Sequence, residues 1–559
     1  MMTATTPGVT EPTSAFRLGW LPVLLLAALI LRLWWLHSFT AVIENEGTEY
    51  ARIAENLLKG DGYVGKRNEG PQLMFPPLYP FLIAAFSFLV AELDLAGRTV
   101  SVLFGTLLVA VIFFIAERIH GRRIAWIAAG LAAFHPWMIG MSAAVYSEST
   151  YLTLVMAGVY WALCSLETPS LRWAALSGAC FGFAYLTRPE AFIFPFVVVF
   201  FVVAINRRAL ARAARYSGVL VGAFAIVAAP YIAFISSHAG YLRLEGKSPI
   251  NYQIGQRMLT GMSYIAAGYE VQDDLTPTGV FVRSDLSVVR SNRINPSEMA
   301  QYLFASAKGN GMLALRMVTR APSFGAPLLG ALIVIGFFRR SWRRPRALQE
   351  VLLLSVVVCV LLAILSVQFF YMRFLYALLP VLIVWGARGI GEMATWTQGT
   401  LVGIGWIGHQ RRGHGTAVAC GLVALLLLVT GQGVGQDSDL TQGGYGQRLI
   451  RAAGESLKKT PPGRPGRKKI MDSDGVIAFY AGGTLAAFPY AESSVAIRYI
   501  ERKGVDVVVL KETVTNRPYL REWVAKGIPD TRAERLLDFH DPVAGRVVIY
   551  RWNHGPHRR

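Results

Sequence analysis

Apolar runs of about 20 residues, the length a helix needs to cross the hydrocarbon core of a bilayer, recur along the first three quarters of the chain. Eleven spans are predicted: 18–39, 95–116, 124–143, 148–166, 171–187, 190–206, 216–236, 321–338, 348–367, 372–391 and 414–433. A further apolar run, Pro77 to Ala91, carries two prolines at its start. Its 15 residues reach only about 22 Å, short of a core of about 30 Å, and are read as interfacial or re-entrant. Charge supports that reading. Arginines cluster at Arg118, Arg122 and Arg123, at Arg207, Arg208, Arg212 and Arg215, at Arg339 to Arg346, and at Arg411 and Arg412. Leaving 77–91 out of the membrane puts every cluster on the cytoplasmic side, as the positive-inside bias requires. The N-terminus is then cytoplasmic, and residues 40–94 and 237–320 form two long outer loops.

After the last span the pattern changes. Residues 434–466 read as a linker, rich in Gly and Gln and closed by Pro461-Pro462-Gly463-Arg464-Pro465-Gly466. Residues 467–559 alternate short apolar runs with helical patterns: an amphipathic stretch from Val495 to Lys503, then the β-rich Val505 to Leu510, and finally Arg546 to Tyr550. The expected fold is therefore a polytopic α-helical membrane domain, 18–433, followed by a soluble α/β domain on the outer side. Ala481-Gly482-Gly483-Thr484 reads as a turn rather than a ligand cradle, and the domain is assigned a structural or acceptor-contacting role. Residues 1–17 are polar and read as a disordered tail; the first apolar run has no small-residue cleavage site after it and is taken as an uncleaved span.

Composition agrees. Of 559 residues 53% are hydrophobic, and the mean hydropathy is +0.42. A formal net charge of +20 could suggest nucleic acid, but the topology-marking arginines account for most of it, so no nucleic-acid partner is implied. Cys164, Cys180, Cys359 and Cys420 all lie in apolar segments with no metal-type spacing, which indicates neither a disulfide framework nor a zinc site.

Ionisable groups in or beside spans are costly and so are candidates for chemistry. The densest set opens the first outer loop, where Tyr50, Ile53, Ala54, Leu57 and Leu58 repeat at helical spacing before Gly60. Glu44, Glu46 and Glu49 fall at the start of that amphipathic helix, where free backbone N–H groups can hold a carboxylate near the lipid headgroups. Farther along, Glu148 opens a span, Arg188 and Glu190 flank a tight turn between spans, and Tyr371 and Arg373 lie at an outer span end. An arginine on the outer side runs against the positive-inside bias, which marks Arg373. His135 reads as a packed core histidine, and His238 as a metal candidate alongside Glu148.

The run Glu46-Gly47-Thr48-Glu49-Tyr50-Ala51-Arg52, with Gly62-Tyr63 and Pro76-Pro77-Leu78-Tyr79-Pro80, resembles the first-loop signature of the superfamily of protein O-mannosyltransferases and lipid A aminoarabinose transferases, membrane glycosyltransferases of the GT-C fold. The likeness continues through Gly121-Arg122-Arg123, Ser147-Glu148, Leu186 to Glu190 and Arg373 to Pro380. It implies inverting transfer of a sugar from a polyprenyl-phosphate donor to a protein, lipid A or envelope glycan outside the bacterial cytoplasmic membrane. An acidic pair opens the loop in that family, its first member the proposed base. Glu46 takes that position and Gly47 the second. Some relatives bind a metal or donor phosphate through a Glu-Lys dipeptide where this chain has Phe75-Pro76, so a divalent metal is a candidate cofactor only. Arg373, Arg188 and Tyr371 are the expected donor-phosphate ligands, and Glu148, Glu49 and Tyr50 the residues that position substrate. A transporter or flippase of lipid-linked intermediates is the main rival reading. Such folds usually show repeats and midplane charges, whereas here no repeat is found and the charges crowd the outer edge.

Overall fold

The computed structural model describes residues 19–39, 42–167, 170–291, 295–320, 326–338, 344–365, 372–404, 413–434, 448–461 and 466–554; the polar tail, 1–17, lies outside them. The architecture is the expected one, a polytopic helical membrane protein with a small C-terminal sheet. Five described helices are long and apolar enough to cross a bilayer: Leu21–Ser38, Leu93–His120, Glu148–Glu167, Leu210–Ala239 and Arg373–Gly403. Arg122–Phe134 with Pro136–Ser142 makes a sixth as a bent pair, and Pro189–Ile205, Pro327–Phe338, Ala347–Ala363 and Gly415–Gly431 are shorter apolar helices. Leu171–Tyr185 completes the set at 15 residues.

The apolar run at 77–91 forms only the 9-residue helix Leu78–Phe86, about 13 Å long and too short to span. Its Leu78 N–H donates to Leu186 O at 2.8 Å, fixing it at the C-terminal end of helix Leu171–Tyr185. Phe81, Phe88 and Leu89 remain exposed, an apolar edge suited to the headgroup layer.

The span expected as one helix over 124–143 is two, bent by 55° at His135–Pro136. Pro136 has no N–H for Ala132 O, so the ladder breaks there. Arg32 of the first helix replaces the missing donor: its Nη2 donates to Ala132 O at 3.3 Å and its Nη1 to Ala133 O at 3.2 Å and Ala28 O at 3.1 Å. A guanidinium can stay buried in the bundle because those carbonyls receive its protons. His135 itself is buried at the bend.

Helices Leu171–Tyr185 and Leu210–Ala239 meet backbone to backbone. A Cβ added to Gly178 would lie 2.0 Å from Leu220 O, and one on Gly182 2.7 Å from Val227 Cβ. Small residues four apart permit this approach in lipid, where packing rather than water drives helix association.

The sheet has the order β2-β1-β3-β5-β4, with β1 Lys469–Met471, β2 Thr484–Ala486, β3 Val507–Lys511, β4 Ala533–Asp541 and β5 Gly545–Trp552. β1 pairs parallel with β2 and β3, and β5 antiparallel with β3 and β4. Every residue of β3 is buried because both faces are covered, which explains its unbroken apolar run. Val508 and Leu510 pack with Val495, Tyr499 and Trp523 from helices Ser493–Lys503 and Leu520–Lys526. Val507 and Val509 share a second core with Tyr50, Ala51 and Ala54 of the first outer loop and with Ile450, Ala453 and Leu457. Those last three share one face of helix Arg448–Lys459, so part of the stretch read as linker is structured by that face.

The soluble domain is thus seated on the first outer loop. Tyr480 Oη accepts from Ile43 N–H at 3.0 Å and donates to Asp94 at 2.6 Å. Arg467 donates to Asn56 at 2.7 Å, and the second outer loop joins where Tyr490 N–H donates to Tyr269 O at 2.7 Å.

Candidate functional site

The first-loop helix forms as Asn45–Lys59 and ends at Gly60, whose φ of 80° is the left-handed geometry glycine accepts readily. Its three acids do not gather at the N-terminus as the spacing suggested; no side chain caps that turn, and each carboxylate turns toward a different partner. Glu44 accepts Val145 N–H at 2.9 Å and lies 3.6 Å from Arg98. Burial pushes its carboxyl up, with Arg98 opposing. Glu49 accepts from Gln72 Nε2 at 2.6 Å and Lys66 N–H at 3.3 Å. Glu46 pairs with Arg373, 327 positions away in the chain.

From that pair a chain of alternating charge runs along one cavity wall. Arg373 lies 4.0 Å from Glu148, and Glu148 is 3.0 Å from Arg188. Arg188 reaches Glu190 at 3.6 Å, and Glu190 pairs with Lys247 at 3.0 Å. Burial alone would raise the Glu46 carboxyl, but Arg373 beside it, with Arg188 and Lys247 beyond, holds it below the ordinary carboxylate value. Burial would likewise lower the Arg188 guanidinium, yet Glu190 and Glu148 keep it raised. Burial, with Glu46 and Glu148 near, pushes the Tyr50 phenol up, so it stays a neutral donor to Ser147 Oγ at 3.1 Å.

All six charged residues line a cavity of about 1060 Å³ including its open mouth, whose other walls, among them Leu152, Val360, Ala363 and Phe374, are apolar. A second, larger cavity of about 2030 Å³ lies between the first outer loop, the second outer loop and the soluble domain. Glu46 and Arg373 line both.

The structure therefore brings Glu46, Arg373, Arg188, Glu148 and Tyr50 together in the first cavity. Glu49 faces the second cavity instead, and Tyr371 lies outside the described residues. His238 is elsewhere, its Nδ1 on its own helix at 2.8 Å from Phe234 O. Sequence reasoning missed Lys247, which no pattern ties to Glu190 57 positions earlier, and Tyr146, whose ring lies 4.8 Å from the Arg373 guanidinium. At Gly47, the position the resemblance assigns to a second acid, a Cβ would fall 2.8 Å from Ile43 Cγ1 and 2.9 Å from Val145 Cβ. A side chain there would require Ile43 or Val145 to shift, and Glu148 is the second carboxylate beside Arg373.

These donors do not suit a divalent cation. Glu148 stands between two guanidinium groups, and among the described residues no three His, Cys, Asp or Glu side chains converge. The arrangement instead offers fixed cations to an anion and a half-buried carboxylate within reach of the same spot.

A family model described as dolichyl-phosphate-mannose-protein mannosyltransferase matches residues 75–233, a stretch that leaves the first-loop helix outside it. Among solved structures, ArnT from Cupriavidus metallidurans bound to undecaprenyl phosphate is similar at 15% identity and a TM-score of 0.55, over 96% of this chain and 98% of that one. AglB, the archaeal oligosaccharyltransferase from Archaeoglobus fulgidus, in complex with an inhibitory peptide and a dolichol-phosphate, is similar at 15% identity and a TM-score of 0.55, over 96% of this chain and 74% of that one. No curated protein matches the chain. At these identities the structural likeness is one of fold: the chain has the GT-C glycosyltransferase fold, in line with the resemblance read from its first loop.

Proposed function

We propose that this protein is an inverting glycosyltransferase that moves a sugar from a polyprenyl-phosphate donor to an acceptor on the outer side of a bacterial cytoplasmic membrane. In this reading residues 18–433 form the catalytic membrane domain, with the N-terminus cytoplasmic, and residues 467–559 an outer-face domain over the acceptor. The observation that carries it is the position of Glu46 and Arg373 in the shared wall of two cavities. One cavity has apolar sides and, at its polar end, two arginines and a lysine that alternate with three carboxylates, an arrangement that offers a lipid phosphate forked donors; the other opens toward the soluble domain.

The acceptor hydroxyl or amine attacks the anomeric carbon from the side of the second cavity, opposite the phosphate, and a single displacement inverts that carbon. Glu46 takes the acceptor proton as the new bond forms. General-base assistance of this kind is worth about 10² to 10⁴ in rate. The anomeric carbon–oxygen bond to phosphate breaks, and its electron pair leaves with the lipid phosphate. Arg373 and Arg188 supply forked donors to that growing charge, and Lys247 a third cation. Tyr50 and Glu148 hold Ser147 and the two arginines in place. No step is routed through a metal.

The test is sugar transfer from a panel of radiolabelled polyprenyl-phosphate sugars by the purified protein in lipid, wild type against Glu46→Gln at equal folded yield. Turnover that Glu46→Gln abolishes is the expected result. Donor that is translocated across the bilayer but never consumed refutes it and favours a flippase.

A further inference from the structure

The contacts of the soluble domain lead back to the proposed base. Resting on the transferase reading above, we propose that Tyr480 is a positioning residue for Glu46, and that through it the soluble domain sets the geometry of proton transfer.

Glu46 sits in the first turn of helix Asn45–Lys59, which no side chain caps. Its place therefore depends on the segment leading into the helix, residues 42–44, and that segment is held from outside at successive positions. Val42 O accepts from Arg98, Ile43 N–H donates to Tyr480 Oη at 3.0 Å, and the Glu44 carboxylate accepts Val145 N–H at 2.9 Å. Two of these ties share one network. Arg98 Nε donates to one oxygen of Asp94 at 2.6 Å, and the other oxygen of Asp94 accepts from Tyr480 Oη at 2.6 Å. A single hydroxyl thus joins the soluble domain, the first outer loop and helix Leu93–His120. Ile43, Asp94, Arg98 and Tyr480 are all buried, so loss of that hydroxyl would leave the Ile43 N–H and an Asp94 oxygen without a partner away from water.

Ile43 passes the restraint on. A Cβ built on Gly47 would lie 2.8 Å from Ile43 Cγ1, so Ile43 cannot move toward the helix without displacing the residue next to Glu46. A second tie lies farther along the same helix, where Arg52 Nη2 donates to Ala478 O and Phe479 O, each at 3.3 Å. Those carbonyls end the soluble-domain helix Val476–Tyr480. That helix is itself braced: Val476 N–H donates to Asp474 at 3.0 Å and Ile477 N–H to Asp472 at 3.1 Å, and Lys511 of β3 bridges the two aspartates at 2.7 and 2.9 Å. A continuous set of bonds therefore runs from the central strand of the sheet to the turn that carries the base.

Tyr480, Arg52, Asp94 and Arg98 line neither cavity. The tie acts on Glu46 without touching the space for either substrate, which separates its effect on turnover from any effect on binding. A general base must stay within about 2.6–3.2 Å of the proton it takes, and a misplacement of about 1 Å can cost on the order of 10²-fold.

The experiment measures donor consumption by the full-length protein in native cell envelopes supplied with radiolabelled polyprenyl-phosphate sugars, and amide hydrogen exchange of the same variants in lipid nanodiscs. Tyr480→Phe should lower kcat about 10- to 100-fold with the donor KM unchanged, and should speed exchange over residues 43–50. Tyr519→Phe is the control: it removes another buried hydroxyl bond of the soluble domain, to Pro489 O at 2.9 Å, and should leave both readouts as in wild type. If Tyr480→Phe folds poorly, Arg52→Met should give the same loss of kcat and the same faster exchange. Faster exchange at 43–50 with kcat unchanged overturns the positioning role and leaves the transferase intact. So does a loss that Tyr519→Phe matches, or one in which the donor KM rises in step, since either marks a general loosening of the domain. Wild-type protein that consumes no donor overturns the transferase reading itself.

Discussion

Replacing Arg373 by Met separates two effects that one guanidinium now combines. The first is on the base. A hydrogen bond to a charged partner is worth about 1.5–3 kcal/mol. The Glu46 side chain is 34% exposed, so water screens part of this; removing Arg373 lets burial push the carboxyl up. In the wild type the depressed carboxyl is ionised through the mildly acidic range, and activity is lost only as pH falls through that low value. Without Arg373 the loss begins at a higher pH on acidification. The second effect is on the leaving group: removing one preorganised donor costs about 10²–10³ in rate. Arg373→Lys retains the charge but not the fork or the contact with Tyr146, and should fall between. The assay is donor consumption across pH in lipid nanodiscs, with wild type and both variants at matched folded yield. An acidic limb that stays in place in Arg373→Met, or a rate within a few-fold of wild type, would refute the assignment of Arg373 as partner to both base and phosphate.

Three further outcomes follow from the geometry. Gly47→Asp should not restore an acidic pair; with Ile43 and Val145 under 3 Å from the new Cβ, it should destabilise by about 1–3 kcal/mol, read as a lower midpoint of thermal unfolding in detergent. Gly178→Leu should force apart helices that touch at Leu220 O, lowering folded yield, whereas Gly130→Leu, with open space around its Cβ, should leave yield unchanged. Glu46→Gln frees Arg373 from a competing carboxylate, so polyprenyl phosphate should bind that variant about 5- to 30-fold more tightly, measured by fluorescence titration with a labelled lipid phosphate; equal or weaker binding counts against the shared guanidinium.

What the sequence revealed and concealed has a physical pattern. The apolar helices were legible because each depends on a local apolar run. The short helix at 78–86 was legible for the same reason, since length alone denied it the membrane. The bend at His135–Pro136 was not: a proline marks a break, but only the structure shows Arg32 arriving from another helix to hold it. The soluble strands were readable from Val505 to Leu510, yet the cover on the second face of β3 includes the first outer loop, hundreds of residues earlier. Glu44, Glu46 and Glu49 looked alike beside one helix start; Val145, Arg373 and Gln72 made them different. Lys247 had no local signal at all, because its meaning lies in Glu190.

The alternating charges also explain why one arginine can serve two groups. Without lipid, Glu46, Glu148 and Glu190 face Arg373, Arg188 and Lys247, a neutral set in a half-buried cavity where net charge would be costly. In the proposed reaction the acceptor gives a proton to Glu46 while the lipid phosphate gains one negative charge. The carboxylate therefore releases its claim on Arg373 as the phosphate acquires one. The total charge in the cavity stays the same from start to finish, so its walls need not reorganise, and the guanidinium only shifts its hydrogen bonds from one oxygen pair to another. A second acid at position 47 would have broken that balance by leaving one carboxylate without a partner. Its absence from a position where a side chain would displace Ile43 or Val145 is thus consistent with the charge pattern of the rest of the site.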